Sequence, residues 1–486
     1  MKFLILLGLL AMPLASEPDQ PQVKAAQEDT SLVVLTLEDA LKVAMSENIS
    51  VKVADREIQR TEYAKKGAYA ALYPQIDGQL AYQRTIKKQV MYMDGGFDIA
   101  GMMAPLVSPL YGKHPDLPNP FASAGSDSGS ESSNDGISVG RWNNWSGGVT
   151  ATMPIVNVQL WESLKISGDE VELAIEKARS SRLDMVTEVK NAFYTVLFAK
   201  ETNKVYEQVY ENARKNLEVT EMRYNAQKAS EMDLARAKTT MANAVPDVYN
   251  SRNAVGLALW RLKAVMGVDL DYNMDVSGKL EDFSEQMFYD IHQHDDPDLS
   301  RNTSLRQLGI QIEELAKTVK LNQYAYIPSL AVAFNYTYSS MTNDFNFKEF
   351  KWTPYSYVGL SLNIPIFSGF KRLNNVRQSK VQYEEVKLQR TDLERQLRIA
   401  IRSAISTMET SMNSYYSAQS AVESAQKAYD ISETSYAVGR STLIELNGSL
   451  VALAQAQLSE FQAIYSFLSA KAELEKQLGM DYIQEK

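Results

Sequence analysis

The chain has 486 residues, a formal net charge of −10, 45% hydrophobic residues and no cysteine. Its apolar content excludes a wholly disordered chain, and its acidic balance argues against a nucleic-acid binder, which carries a basic face. With no cysteine, disulfides, thiolate metal sites and cysteine nucleophiles are excluded together.

Residues 1–16 read as a secretory signal, with Lys2 as the positive start, an apolar run from Phe3 to Met12 and small residues at Ala15-Ser16. Residues 17–36 form an N-terminal extension. No later run approaches the roughly 20 apolar residues that a membrane-spanning helix needs. If the exported chain enters a membrane, it is expected to do so as β-strands.

From residue 37 the chain reads as one unit used twice, over 37–270 and 302–480, with an acidic connector over 271–301. Met153-Pro154-Ile155-Val156 recurs as Ile364-Pro365-Ile366-Phe367, 211 positions later. Tyr224 and Tyr436 lie 212 apart, as do Asp233 and Glu445, and Gly267 and Gly479. Tyr73-Pro74 is echoed by Ile327-Pro328 at a larger offset, because the first unit carries an insertion over about residues 86–144. That insertion includes the Ser/Gly/Asp-rich run Ser123 to Gly136, which reads as a solvated loop. Each unit follows the order helix, strand, loop, strand, very long helix, turn, helix.

The segments flanking the loops alternate with period two. In Ser329 to Ser339, Leu330, Val332, Phe334, Tyr336 and Tyr338 alternate with small or polar residues. The same pattern runs through Ser356 to Ile366, through Trp145 to Met153, and more weakly through Ile76 to Gln83. Each run is about the 9–11 residues of a tilted membrane strand. Four strands cannot close a barrel, and an open edge in lipid leaves backbone groups unpaired. A dimer supplies eight strands and a trimer twelve, of which the trimer leaves the wide lumen.

Between Lys371 and Val438 there is neither Gly nor Pro, and the matching run Asn157 to Asn225 contains only Gly168. As single helices these reach about 100 Å. Ile401, Met408, Tyr415, Val422, Tyr429 and Tyr436 recur every seventh residue, beside a mostly small stripe from Leu397 to Ser432. Shifted by 212, the stripes become Val189 to Tyr224 and Ala192 to Thr220. A sustained heptad predicts coiled-coil packing.

The doubled unit, the Tyr73-Pro74 and Ile327-Pro328 entries, Ile364-Pro365-Ile366-Phe367-Ser368-Gly369 and the turn Tyr436-Ala437-Val438-Gly439-Arg440-Ser441 resemble the TolC-type outer-membrane efflux proteins. The resemblance spans nearly the whole exported chain. It implies a membrane α+β protein: a trimeric twelve-stranded outer-membrane barrel, four strands per chain, continuous with a long α-helical coiled-coil periplasmic tunnel. The implied role is the exit channel of a tripartite efflux or type I secretion system, with a periplasmic adaptor, an inner-membrane transporter and outer-membrane lipid as partners.

The resemblance also implies a periplasmic mouth near the long-helix turns, with Asp233, Glu445, Tyr224, Tyr436 and Arg440 as gate candidates. Val438, Gly439, Ser441, Gln227 and Lys228 become adaptor-docking candidates. Gln227-Lys228 departs from the family's glycine-containing tip, Gly448 replaces a second acid, and Arg440 is one position from the family's arginine. In a trimer Asp233 and Glu445 would gather six carboxylates that raise each other's pKa and attract cations. The competing reading makes both acids first-turn residues that suit the helix dipole.

Other features point to little chemistry. His292-Gln293-His294-Asp295-Asp296 reads as solvated linker, and Met91, Met93, Met102 and Met103 as loop methionines, so no metal site is assigned. There are three histidines, no Gly-rich phosphate loop after a strand and no Ser-His-Asp arrangement. The chain is expected to be no enzyme and to need no cofactor. The rival from another class is a trimeric coiled-coil adhesin stalk with a barrel anchor.

Overall fold

A computed structural model describes residues 32–91, 137–288, 298–346 and 350–480. The expected signal segment, the Ser/Gly/Asp run, the His292–Asp296 cluster, and Met93, Met102 and Met103 lie outside the described residues. The chain forms two compact units, one of residues 1–61, 172–312 and 385–486, the other of residues 62–171 and 313–384.

The second unit is built on strands β2 (Gln75–Arg84), β5 (Asn143–Val156), β7 (Ser329–Thr342) and β8 (Thr353–Asn363). They form one antiparallel sheet in the order β2-β5-β7-β8. Tyr82 pairs with Trp145, Val149 with Tyr336, and Phe334 with Val358. Because side chains alternate along a strand, these pairings gather the apolar sets of all four strands on one face. Asp77, Thr150, Asn335 and Tyr357 line the other.

The apolar face is not covered by the described residues of this unit. Leu80 is 84% exposed, Val358 72% and Leu360 70%. A water-soluble sheet buries such a face; one that meets lipid leaves it open. β2 and β8 are the edges, and no described strand pairs with their outer sides.

The strand limits differ from the sequence reading at the prolines. β8 spans Thr353–Asn363 and stops before Ile364-Pro365, since Pro365 has no N–H to give to a ladder. Pro154 lies inside β5 opposite Ala331, and the register slips between it and Val156, a bulge that accommodates the missing donor. Inside the insertion, β3 (Gln89–Met91) and β4 (Ile137–Val139) pair as a two-stranded ribbon.

Helices α2 (Ile49–Ala70) and α5 (Thr303–Tyr324) enter the sheet, each 22 residues long. The long helices are α3 (Val158–Asn225) and α6 (Lys371–Ala437), of 68 and 67 residues. They are followed by α4 (Glu231–Met266) and α7 (Leu443–Leu478), each of 36. Pro246 lies inside α4 and removes one main-chain bond, to the carbonyl four residues back, without ending the helix.

The first unit packs along the heptad stripes. Ile401, Met408, Val189 and Val196 are fully buried, with Leu397, Ala404, Ala192 and Ala199 beside them in one core. This large-beside-small pattern lets helices approach closely. Phe193, Leu197, Ile464 and Phe467 fill its centre.

The acidic connector carries structure that its sequence did not announce. β1 (Val33–Leu35) pairs in parallel with β6 (Met274–Val276), and a 3-10 helix covers Leu280–Phe288. Helix α1 (Leu37–Glu47) follows β1 and opens with a capping box between Thr36 and Asp39.

Two asparagines tie helix ends to helix starts. Asn48 donates from Nδ2 to the Val265 carbonyl at 2.6 Å, while its Oδ1 accepts from the amides of Ser50 and Val51. Asn302 donates to the Gln477 carbonyl at 2.8 Å and accepts from Leu305. Beside it Gly479 closes α7 in the left-handed conformation at φ 67°. A Cβ there would overlap the Arg301 carbonyl, so glycine is required by space as well as by backbone angle.

Candidate functional site

The candidate residues cluster at the α3–α4 and α6–α7 turns. Both turns close their long helix with the same hydrogen-bond pair. At the first, the Gln227 amide donates to the Tyr224 carbonyl at 2.9 Å and that of Lys228 to Arg223 at 2.7 Å. At the second, Gly439 donates to Tyr436 at 3.0 Å and Arg440 to Ser435 at 2.8 Å. The pairing is a Schellman motif, which needs a left-handed residue. Gly439 supplies it at φ 79°, and Gln227 adopts it at φ 59° in spite of its side chain. The departure noted in sequence at Gln227-Lys228 therefore preserves the turn's shape at the expense of backbone strain.

The acidic candidates belong to helix caps. Asp233 accepts from the Ser230 hydroxyl at 2.7 Å and from its amide at 3.3 Å, and the Asp233 amide donates back to the Ser230 hydroxyl. Glu445 accepts from the Thr442 amide at 2.9 Å and the Ser441 hydroxyl at 2.7 Å. Each is the third residue of a capping box opening α4 or α7. The Thr442 amide and Ser441 hydroxyl hold the Glu445 carboxyl below its ordinary pKa, because bonds donated to the ionised form favour it.

The tyrosines part company. Tyr436 is buried at 7% exposure and its hydroxyl shares a 2.8 Å bond with Thr220, itself buried. Tyr224 is exposed. Burial pushes the Tyr429 hydroxyl, one heptad before Tyr436, up to about 12, with Glu433 and Asp430 adding to the shift. Tyr429 and Tyr436 pack with Ala237, Leu443, Leu446 and Leu450 in a small core that fastens this end of the helices. Val438, Arg440, Gln227 and Lys228 are exposed, and Ser441 is half-buried.

The residue that sequence reasoning missed is Arg223. Its guanidinium lies over the Tyr436 ring at 4.5 Å and donates to the carbonyls of Tyr436 at 2.5 Å and Ala437 at 2.9 Å. It thus joins the C-terminal turn of α3 to that of α6, a place where the sequence reading had considered Arg440. The repeat offset gives no hint, because its counterpart is Ser435. A cation in the last turn of a long helix was the available signal.

Comparisons with known proteins bear on this arrangement. Residues 115–268 and 298–480 match the model of the outer membrane efflux protein family. The chain is 20% identical over 347 residues to the outer membrane protein TolC of Salmonella enteritidis, covering 69% of each. It is 21% identical over 341 residues to TolC of Escherichia coli strain K12, covering 68% of each.

Among solved structures, the Campylobacter jejuni CmeC outer membrane channel superposes with a TM-score of 0.67 at 16% identity, over 91% of this chain and 85% of that one. CusC gives 0.68 at 12% identity over 92% and 93%, and VceC of Vibrio cholerae 0.66 at 14% over 91% and 96%. These likenesses establish the fold. With the family model matching in two stretches that together exceed half the chain, this protein belongs to the outer membrane efflux protein family and is a transport protein of the outer membrane.

Proposed function

We infer that three copies of this chain assemble into one exit duct, each contributing four strands to a twelve-stranded barrel and its long helices to a periplasmic tunnel. The observation that carries the reading is the β2-β5-β7-β8 sheet, whose apolar face is open and whose two edges are unpaired among the described residues. In lipid such edges must find partners, and a copy on either side supplies them. The matched helix lengths and the 212-residue offset of both capping boxes support two structural repeats, 37–270 and 302–480, flanking the connector.

The duct is a passive conduit for small molecules, metals or polypeptides, chosen by an inner-membrane transporter reached through a periplasmic adaptor. The exposed turn residues Gln227, Lys228, Val438 and Gly439, with Ser441, form the adaptor-facing tip. Asp233 and Glu445 supply an acidic ring at the mouth, each using one carboxylate oxygen for its cap. No step of this role calls for catalysis or a cofactor.

Reconstitution of the full-length protein in a planar bilayer tests the reading. A discrete cation-preferring channel is expected, blocked from the tip side by multivalent cations. The Asp233→Asn, Glu445→Gln pair should weaken that block, and unchanged block would remove the acidic ring. A stalk with a closed anchor would give no discrete channel at all.

A further inference from the structure

The loop-side end of the sheet, opposite the end joined to α2, α3, α5 and α6, carries a group of cations. Arg84 ends β2, Lys87 and Lys88 follow it, Arg141 precedes β5 and Lys351 precedes β8. None of the five forms an ion pair among the described residues, although the chain as a whole is acidic. The contacts of two of them are to neutral groups: Lys88 lies 4.7 Å from the Trp142 ring centre and reaches Asn343, and Arg141 donates to the Met341 carbonyl at 3.0 Å. The Thr85 amide bonds the Trp142 carbonyl, and register sets Arg84 opposite Asn143. These ties bring the cations of two chain segments together, and the β7–β8 register, with Ser339 opposite Thr353, sets Lys351 at the same end of the sheet.

The rim continues the apolar face. Tyr82 and Trp145 pack at 4.3 Å on that face, Phe345 stands 6.2 Å from Tyr82 and Phe350 6.1 Å from Trp145. Aromatic rings mark the level where hydrocarbon gives way to headgroups. Cations just beyond such a belt meet headgroups, and basic clusters at a membrane surface attract anionic ones.

We propose that this rim binds the phosphate groups of an acylated, bis-phosphorylated glycolipid in the outer leaflet. The proposal rests on the barrel reading above. Bidentate arginine at Arg84 and Arg141 and point charges at the lysines suit phosphate oxygens, while the adjacent face takes the acyl chains.

The test is native mass spectrometry of the full-length protein in neutral detergent, titrated with lipid A and, in parallel, with enzymatically dephosphorylated lipid A and with phosphatidylglycerol. At low salt, preference for the phosphorylated form is expected. The triple variant Arg84→Gln, Lys88→Gln, Arg141→Gln should lose affinity about fivefold per cation, on the order of a hundredfold in all. A control variant with equal charge loss on the helices, Lys215→Gln, Lys380→Gln, Arg402→Gln, should retain it. Equal binding of both lipid A forms, stronger binding of phosphatidylglycerol, or equal loss in both variants would overturn the proposal. The same spectra report the number of copies per assembly, so failure of the barrel reading shows up separately as a change in that number.

Discussion

Replacing Arg223 by methionine keeps an aliphatic stem against Tyr436 and deletes the two hydrogen bonds that join α3 to α6. Each bond from a charged donor to a carbonyl contributes about 1 kcal/mol net at a half-buried position. Loss of the ring contact adds roughly 0.5 kcal/mol. The sum, about 2.5 kcal/mol, shifts an equilibrium between joined and parted helix ends roughly 70-fold. If the joined ends narrow the mouth, single-channel recordings should show a larger conductance or a longer open time in Arg223→Met. Arg223→Lys, which keeps charge but cannot fork, should fall between the two. Tyr436→Phe deletes the Thr220 bond and leaves the ring under Arg223, so it should add a smaller increment. Wild-type conductance and gating in Arg223→Met, with assembly intact, would refute the idea that this contact restrains the mouth.

Gln227→Gly relieves a left-handed side-chain position and should raise thermal stability slightly, by up to about 1 kcal/mol after the entropy of glycine is subtracted; a fall in the unfolding midpoint would count against the strain. Gly479→Ala meets the Arg301 carbonyl and should be far more damaging than Gly439→Ala, whose added methyl enters open space, as compared by folded yield and midpoint. Because the Glu445 carboxyl is held below its ordinary value of 4.5, its contribution is present above that pH and lost as pH falls through the lower folded-state value. Amide exchange in the first turn of α7 should therefore quicken at acid pH in the wild type, and Glu445→Gln should flatten that response.

Much of the fold was legible because its signals are periodic. Period-two alternation marked all four strands, since a sheet with one apolar face repeats an apolar residue at every second position. The seventh-residue stripes marked which sides of α3 and α6 are packed, from Val189 to Ile401 and Met408. What escaped had no period. β1 and β6 are three residues long and depend on pairing across 241 positions, and three residues carry no pattern of their own. The end of β8 moved because proline acts through one missing donor, which the apolar pattern ignores, and β5 ran on past Pro154 because a bulge absorbs the missing donor.

At the turns, the sequence placed Asp233 and Glu445 and even their spacing, but a single chain uses them first as capping groups. Arg223 was hidden for a different reason. Its contact depends on the rotational placement of two helices whose neighbouring ends lie over 200 residues apart, and no local rule encodes that.

The central claim is that edges β2 and β8 pair between different copies. The chain has no cysteine of its own, so introduced pairs report cleanly. Within one chain β2 and β8 are separated by β5 and β7, about 14 Å at ordinary strand spacing, beyond the reach of a disulfide. A cysteine at Gln79 scanned against positions 356 to 361 of β8, oxidised in native outer membranes, should yield a covalent trimer at the matching register. Monomers at every position of the scan would contradict it.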